Sequence, residues 1–264
     1  MKRLCAICFY LIFSSNVSLF GEIPALNATF SNKDGRSVAL GGGINAIEKP
    51  DSSGILISYF MPYNLSELST RRIAGTCFTE WVCLDGQLSQ TGNEVFMENY
   101  LSFGASRLLA RDFIFGIKGG YYHYTTINDA KGSTLLSEIY CYYKPFEKMQ
   151  ICIYLFNPTN SKIRQSEVSI PLYQSFHLGG SFFPVKNTEL LCEFEKTQIQ
   201  DLTLHLGCES SVFNSFKIRV GLSAQPLMPS FGIGGKLYRF KYALGWNLHP
   251  VLGVSSCLSI QYNW

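Results

Sequence analysis

The chain ends on the segment 254-VSSCLSIQYNW-264, in which large apolar residues recur at every second position. Leu258, Ile260, Tyr262 and Trp264 form this apolar series, and cysteine, serine, glutamine and asparagine stand between them. Successive side chains of a β-strand point to opposite faces, so the pattern predicts a strand with one apolar face. That face meets either lipid or a protein core.

The same alternation extends upstream to about residue 54. In 216-FKIRVGLS-223 and 239-RFKYALGWNL-248 the apolar series again occupies alternate positions. Turn signals rich in Asn, Pro and Ser separate such runs. The pattern predicts an all-β fold of about fourteen strands, mostly of the ~9–11 residues that a tilted strand needs to cross a bilayer. Residues 157–169 are expected to form the longest polar loop, with the next strand starting at 170.

Composition favours a membrane barrel over a soluble sheet protein. The 264 residues are 47% hydrophobic and 16% charged, whereas a typical soluble domain is about 25% charged. The polar face of the alternating segments carries Gly, Ser, Thr, Gln and Tyr, which suits a packed lumen better than a surface in bulk water. We therefore expect a closed antiparallel transmembrane β-barrel over 54–264. A secreted soluble β protein with a binding role remains the alternative.

Residues 1–21 read as a secretory signal peptide, with a basic start at Lys2 and Arg3 and an apolar run to Phe13. Residues 22–53 are expected to enter the barrel as an N-terminal segment. Loss of the signal would reduce the formal net charge from +3 to +1. Because no Lys/Arg cluster follows, nucleic acid is not an expected partner.

The terminal strand also indicates a location. Its apolar series, ending on Trp264, resembles the assembly signal of bacterial outer-membrane proteins. That resemblance implies the bacterial outer membrane, with outer-membrane lipid and the barrel-assembly machinery as partners.

A family resemblance begins at 34-DGRSVALGGG-43, which resembles the "AR-x-x-ALGGA" stretch of FadL-like barrels, most closely the PorV/PorQ group of the Bacteroidetes. Residues 155–163, 177–184, 217–226 and 231–253 resemble later strands and turns of that group. Residues 48–54 lack the Asn-Pro-Ala-Gly motif that usually follows, and the chain is short for a full FadL-type transporter.

The resemblance implies an accessory or structural role in secretion or a surface complex, with secretion-system or surface proteins as partners. Its alternative is FadL-like passive transport of hydrophobic solutes. The glycines at 41–43 serve either a ligand or a close approach of this segment to the barrel wall.

No catalytic, metal or cofactor motif was found. The four histidines are widely spaced, and GxSxG, HExxH and P-loop patterns are absent. Seven of the nine cysteines lie beyond residue 21 without a CxxC pair, which favours small hydrophobic residues over one or two disulfides. We expect no enzyme, although a hydrolase with a dispersed triad would leave no compact motif.

Charged residues on the polar faces of late strands are the candidate lumen-facing residues. These are Glu193, Glu195, Lys217, Arg219, Lys236, Arg239 and Lys241. Alternation places Arg219 and Lys241 inside and their neighbours Val220 and Tyr242 outside. The lumen charges either serve a polar or anionic ligand path or docking surface, or form internal ion pairs that fill the barrel.

Overall fold

The computed structural model describes residues 33–43, 52–127, 130–165, 168–198, 201–213 and 215–264. The expected signal peptide, 1–21, lies outside the described residues. The described part contains one short α-helix, α1 (Gly35–Ala39). None of its helices has the length and apolar character needed to cross a membrane.

Sixteen strands lie within the described residues. They are β1 Gly54–Met61, β2 Thr70–Phe78, β3 Cys83–Gly92, β4 Phe96–Ala110, β5 Phe113–Thr126, β6 Lys131–Phe146, β7 Met149–Phe156, β8 Lys162–Gln165, β9 Val168–Pro171, β10 Ser175–Val185, β11 Thr188–Thr197, β12 Thr203–Phe213, β13 Phe216–Ser223, β14 Met228–Leu237, β15 Phe240–His249 and β16 Gly253–Asn263. Short 3-10 turns at Pro62–Asn64 and Ser66–Leu68 lie between β1 and β2.

Fourteen of these strands close into an antiparallel barrel. Each barrel strand pairs with its neighbours in chain order, β7 pairs with β10, and β1 pairs with β16 with Ile57 opposite Ile260. Each of these fourteen strands is paired on both edges, which matters because an unpaired backbone group in lipid costs several kcal/mol. The predicted fold, a closed antiparallel barrel of about fourteen strands, is confirmed.

The connection between β7 and β10 differs from the prediction of a polar loop over 157–169 and a strand from 170. It contains the small hairpin β8–β9, and β10 starts only at Ser175. Strands of four residues are too short for a two-residue periodicity to be recognised.

The two faces of the wall have opposite polarity. Val220 is 52% exposed on the outside, and its neighbour Arg219 is 4% exposed on the inside. Along β16, Leu258 and Ile260 are exposed whereas Ser259 is buried. An apolar exterior and a polar interior are the reverse of a soluble sheet protein and fit a lipid-facing barrel.

The two ends of the barrel also differ. At one end, which also holds the start of β1 and Trp264, most connections are two-residue turns such as 147–148 and 238–239. At the other end the connections are longer, up to residues 157–174. Outer-membrane barrels have short periplasmic turns and longer extracellular loops. We call the two ends the turn end and the loop end.

Candidate functional site

Residues 33–43, the plug segment, lie inside the barrel against β13–β16. The Asp34 side chain accepts a hydrogen bond from the Ser37 amide at 2.7 Å, and Ser37 Oγ accepts one from the Asp34 amide at 2.9 Å. This reciprocal cap satisfies backbone donors at the start of α1. All five helix residues are buried, so the plug segment fills one side of the lumen.

A strip of four glycines on adjacent strands forms its seat: Gly207, Gly221, Gly232 and Gly245. A Cβ at Gly245 would lie 2.3 Å from the carbonyl oxygen of Gly35, and one at Gly221 would lie 2.4 Å from the amide of Gly41. Gly41 itself has φ +90 and faces the Leu222 carbonyl. Helix and wall therefore meet backbone to backbone, the close approach that glycine permits.

Charged side chains join the plug segment to the wall. Glu209 accepts from Arg36 Nε at 2.8 Å, Arg219 Nε at 2.7 Å and Lys217 Nζ at 2.6 Å. Arg36 Nη2 also reaches Glu189 at 2.8 Å. Lys217 and Arg219 thus take part in internal ion pairs. Sequence reasoning missed Arg36, Glu189 and Glu209 because these partners lie far apart in the chain.

The two predicted lumen carboxylates have histidine partners instead. Glu193 Oε1 lies 2.9 Å from His177 Nδ1, and Glu195 Oε2 lies 2.9 Å from His205 Nε2. His205 Nδ1 donates to the carbonyl of Gly41 at 2.7 Å, which ties the end of the plug segment to β12. These pairs fill the lumen beside the plug segment.

Two of the seven candidates lie at the rim of the turn end. Arg239 lies in the exposed turn between β14 and β15 and reaches Tyr262 Oη at 3.4 Å, and Lys236 is exposed at the turn end. The prediction is wrong for Arg239, which the two-residue turn carries to the rim, whereas Lys236 pairs directly with Lys241 and so keeps the lumen-side direction. Lys241, in contrast, lines a lumen cavity.

A tyrosine cluster closes the opposite side of the lumen towards the loop end. Its buried members are Tyr100, Tyr122, Tyr124, Leu136, Tyr154, Phe156, Ile163 and Leu172, the last two from the 157–174 connection. Buried Glu98 accepts from Tyr122 Oη at 2.6 Å, and buried Glu138 accepts from Tyr154 Oη at 3.0 Å and from Tyr100 Oη. Sequence reasoning had assigned these tyrosines only to a generic polar face.

A cavity of about 500 Å³ remains between the plug segment and the β1–β7 wall, at the turn end. Its apolar lining includes Leu56, Phe78, Trp81, Leu108, Ile114 and Tyr142. Lys118 pairs with Asp85 at 2.5 Å, and Asp85 also accepts from Tyr140 Oη at 3.1 Å. This volume falls within the ~300–1,000 Å³ typical of small-molecule sites.

The described part of the chain shows neither a metal-ligand cluster nor a disulfide. It contains no cluster of three or more His, Cys, Asp or Glu side chains suited to a metal ion. The cysteines described there, from Cys77 to Cys257, are all free thiols. The expected disulfide alternative is therefore not seen among them.

No protein-family model matches the chain, and no curated protein matches it. Several solved structures, in contrast, match the chain. The Pseudomonas putida toluene transporter TodX aligns with TM-score 0.64 at 9% identity over 89% of this chain and 99% of that one. The Ralstonia pickettii toluene transporter TbuX gives 0.59 at 8% over 89% and 99%. A Pseudomonas aeruginosa FadL homologue gives 0.54 at 9% over 87% and 96%.

At these identities the likeness concerns the fold. The chain has the fold of FadL-like outer-membrane channels, and nothing in the comparison singles out the PorV/PorQ group.

Proposed function

We propose that this chain is an outer-membrane channel through which small hydrophobic molecules pass passively. The observation that carries the proposal is the lumen cavity of about 500 Å³, whose wall surface is more apolar than polar. The fold likeness to proteins named as toluene transporters supports the same class of solute.

The walls give the cavity its affinity for apolar solutes. Burial of apolar surface contributes about 25 cal/mol per Å², and rings such as Phe78, Trp81 and Tyr142 supply that surface. The ion pair between Lys118 and Asp85 leaves their part of the wall without net charge. A small aromatic solute would therefore gain from leaving water.

The channel would be oriented with its turn end towards the periplasm. The cavity is at that end, and the tyrosine cluster separates it from the loop end. Entry from outside therefore requires a rearrangement near the 157–174 connection, whose Ile163 and Leu172 pack into the cluster. The predicted signal peptide, 1–21, fits this route to the outer membrane, and N-terminal sequencing of the membrane form would locate its cleavage site.

Uptake in cells tests the proposal. The chain would be produced in a Gram-negative host that lacks its own hydrocarbon channels, and the rate of radiolabelled toluene uptake would be compared with that of the empty vector. We expect faster uptake with the chain present. Equal rates at a verified level of folded barrel would contradict the proposal.

A second candidate is the accessory or structural role in secretion or a surface complex. One observation favours it: the plug segment and the tyrosine cluster occupy much of the lumen. This role predicts no uptake, together with co-purification of a secretion-system or surface protein with the full-length barrel.

A further inference from the structure

One cation of the cavity has no hydrogen-bonding partner among the described residues. Arg72 points inwards from β2, between Ser58 on β1 and Ser89 on β3, and lines the cavity. It is 8% exposed, and its Nε is buried without a hydrogen-bond partner. No ion pair joins its guanidinium to a residue that the structure describes. Burying a charge without a partner is costly, so this group favours an anionic ligand.

The other charges of the cavity do not remove this preference. Lys118 is matched by Asp85, and it also lies over the ring of Tyr140 at 5.4 Å. Asp34 also faces the cavity and is the carboxylate that acts most strongly on Arg72, but it forms no ion pair with Arg72, and its Oδ1 caps α1 through the Ser37 amide. Lys241 adds a further cation to the lining. The described lining therefore contains four cations, Arg72, Arg107, Lys118 and Lys241, and three carboxylates, Asp34, Glu80 and Asp85.

The rings around this charge indicate the rest of the ligand. Tyr142 and Tyr154 line the same cavity as Arg72, and Tyr154 lies close enough to interact electrostatically with its guanidinium. Aromatic side chains prefer stacked or edge-to-face contacts with other rings. A guanidinium presents a planar fork that holds a carboxylate through two parallel hydrogen bonds. A compact solute with one ring and one carboxylate would satisfy both.

We propose that the cavity selects monoanionic aromatic solutes, with the carboxylate held by Arg72 and the ring held among the aromatic side chains. This inference rests on the proposed channel function and narrows its substrate class. A neutral aromatic solute would contact the same rings but would leave the Arg72 guanidinium without a partner.

Calorimetry on the full-length barrel in nanodiscs tests the inference with three probes of the same ring: benzoate, benzyl alcohol and benzylammonium. We expect benzoate to bind wild type at least about tenfold more tightly than benzyl alcohol, as one charge-assisted pair would produce. Benzylammonium should not bind measurably. Arg72→Gln should remove the preference for benzoate and leave benzyl alcohol unchanged.

Arg71→Gln is the matched control, because Arg71 is the adjacent residue on β2 and is exposed on the outer face. It should leave all three affinities unchanged. Equal binding of benzoate and benzyl alcohol to wild type would overturn the inference, as would an Arg72→Gln variant with unchanged benzoate affinity. If Arg72→Gln fails to fold, the comparison of benzoate with benzyl alcohol binding to wild type still tests the inference.

The two proposals fail separately. Toluene uptake without a benzoate preference in calorimetry would overturn only the substrate class. Benzoate binding that depends on Arg72, in a chain that accelerates no uptake, would overturn only the channel.

Discussion

Arg36 and Glu209 are 173 residues apart in the chain, yet Nε of the first donates to Oε2 of the second at 2.8 Å inside the barrel. Both side chains are at least nine-tenths buried. Glu209 also accepts from Lys217 and Arg219, so one carboxylate joins the plug segment to two positions of β13. This arrangement makes Glu209 the central charge of the plug seat.

We predict that Glu209→Gln destabilises the barrel. The substitution leaves Arg36, Lys217 and Arg219 together with a single carboxylate, Glu189, and removing one partner of a buried ion pair costs about 3–5 kcal/mol. Urea unfolding in detergent micelles measures the change. Glu67→Gln, in an exposed loop, is the control. An unchanged unfolding midpoint for Glu209→Gln would show that the cluster does not support the fold.

Gly245→Val should displace the plug segment while the barrel still forms. A Cβ there would lie 2.3 Å from the Gly35 carbonyl oxygen, so helix and wall could not keep their approach. Trypsin should then cut the folded barrel after Lys33 or Arg36, which wild type protects. Gly119→Val is the matched control, since a Cβ at Gly119 meets no atom within 4 Å. Equal protection in both variants would contradict the glycine seat.

Single-cysteine labelling tests which face of β15 contacts water and which contacts lipid. In a background without the native cysteines, Lys241→Cys should react with a water-soluble maleimide through the cavity, and Tyr242→Cys should react with a lipid-phase reagent. A one-residue slip would turn Lys241 to the lipid face near the turn end, where a cation costs about 0–1 kcal/mol, and would reverse which of the two positions is wet. The reverse labelling pattern would refute the assignment.

Deletion of Trp264, or Trp264→Asp, should reduce assembly in the outer membrane more than it alters solute passage. The Trp264 amide donates to the Ser53 carbonyl at 3.1 Å, which fastens the last strand beside the first, and its exposed ring lies 6.1 Å from that of Tyr262. An indole is favourable at the membrane interface. Heat-modifiable gel mobility reports folded barrel, and Trp264→Phe is the conservative control. Wild-type levels for all variants would rule out an assembly role.

The barrel could be predicted from the sequence because the alternation of apolar and polar residues that indicates it lies within each single strand. A strand between lipid and lumen alternates at every second residue, so segments such as 216–223 show their two faces without knowledge of their neighbours. The hairpin β8–β9 could not be found in this way, because four residues carry too little periodicity.

The lumen was less predictable because its contacts are long-range. Arg36 finds its partners on β11 and β12 only once the barrel closes around the plug segment. Glu193 and Glu195 have the inward direction that alternation assigns, but their histidine partners depend on the strand register. Arg72 was not singled out because the absence of a partner is visible only in three dimensions.

Blocking the cavity tests most directly whether it is the path of the solute. Ala74 lines the cavity from β2, and its neighbour Ile73 is 52% exposed on the outer face. Toluene uptake would be measured in cells that produce equal amounts of folded Ala74→Trp and Ile73→Trp barrels. We expect Ala74→Trp to lower uptake to the vector level and Ile73→Trp to keep the wild-type rate. Wild-type uptake through Ala74→Trp would contradict the account.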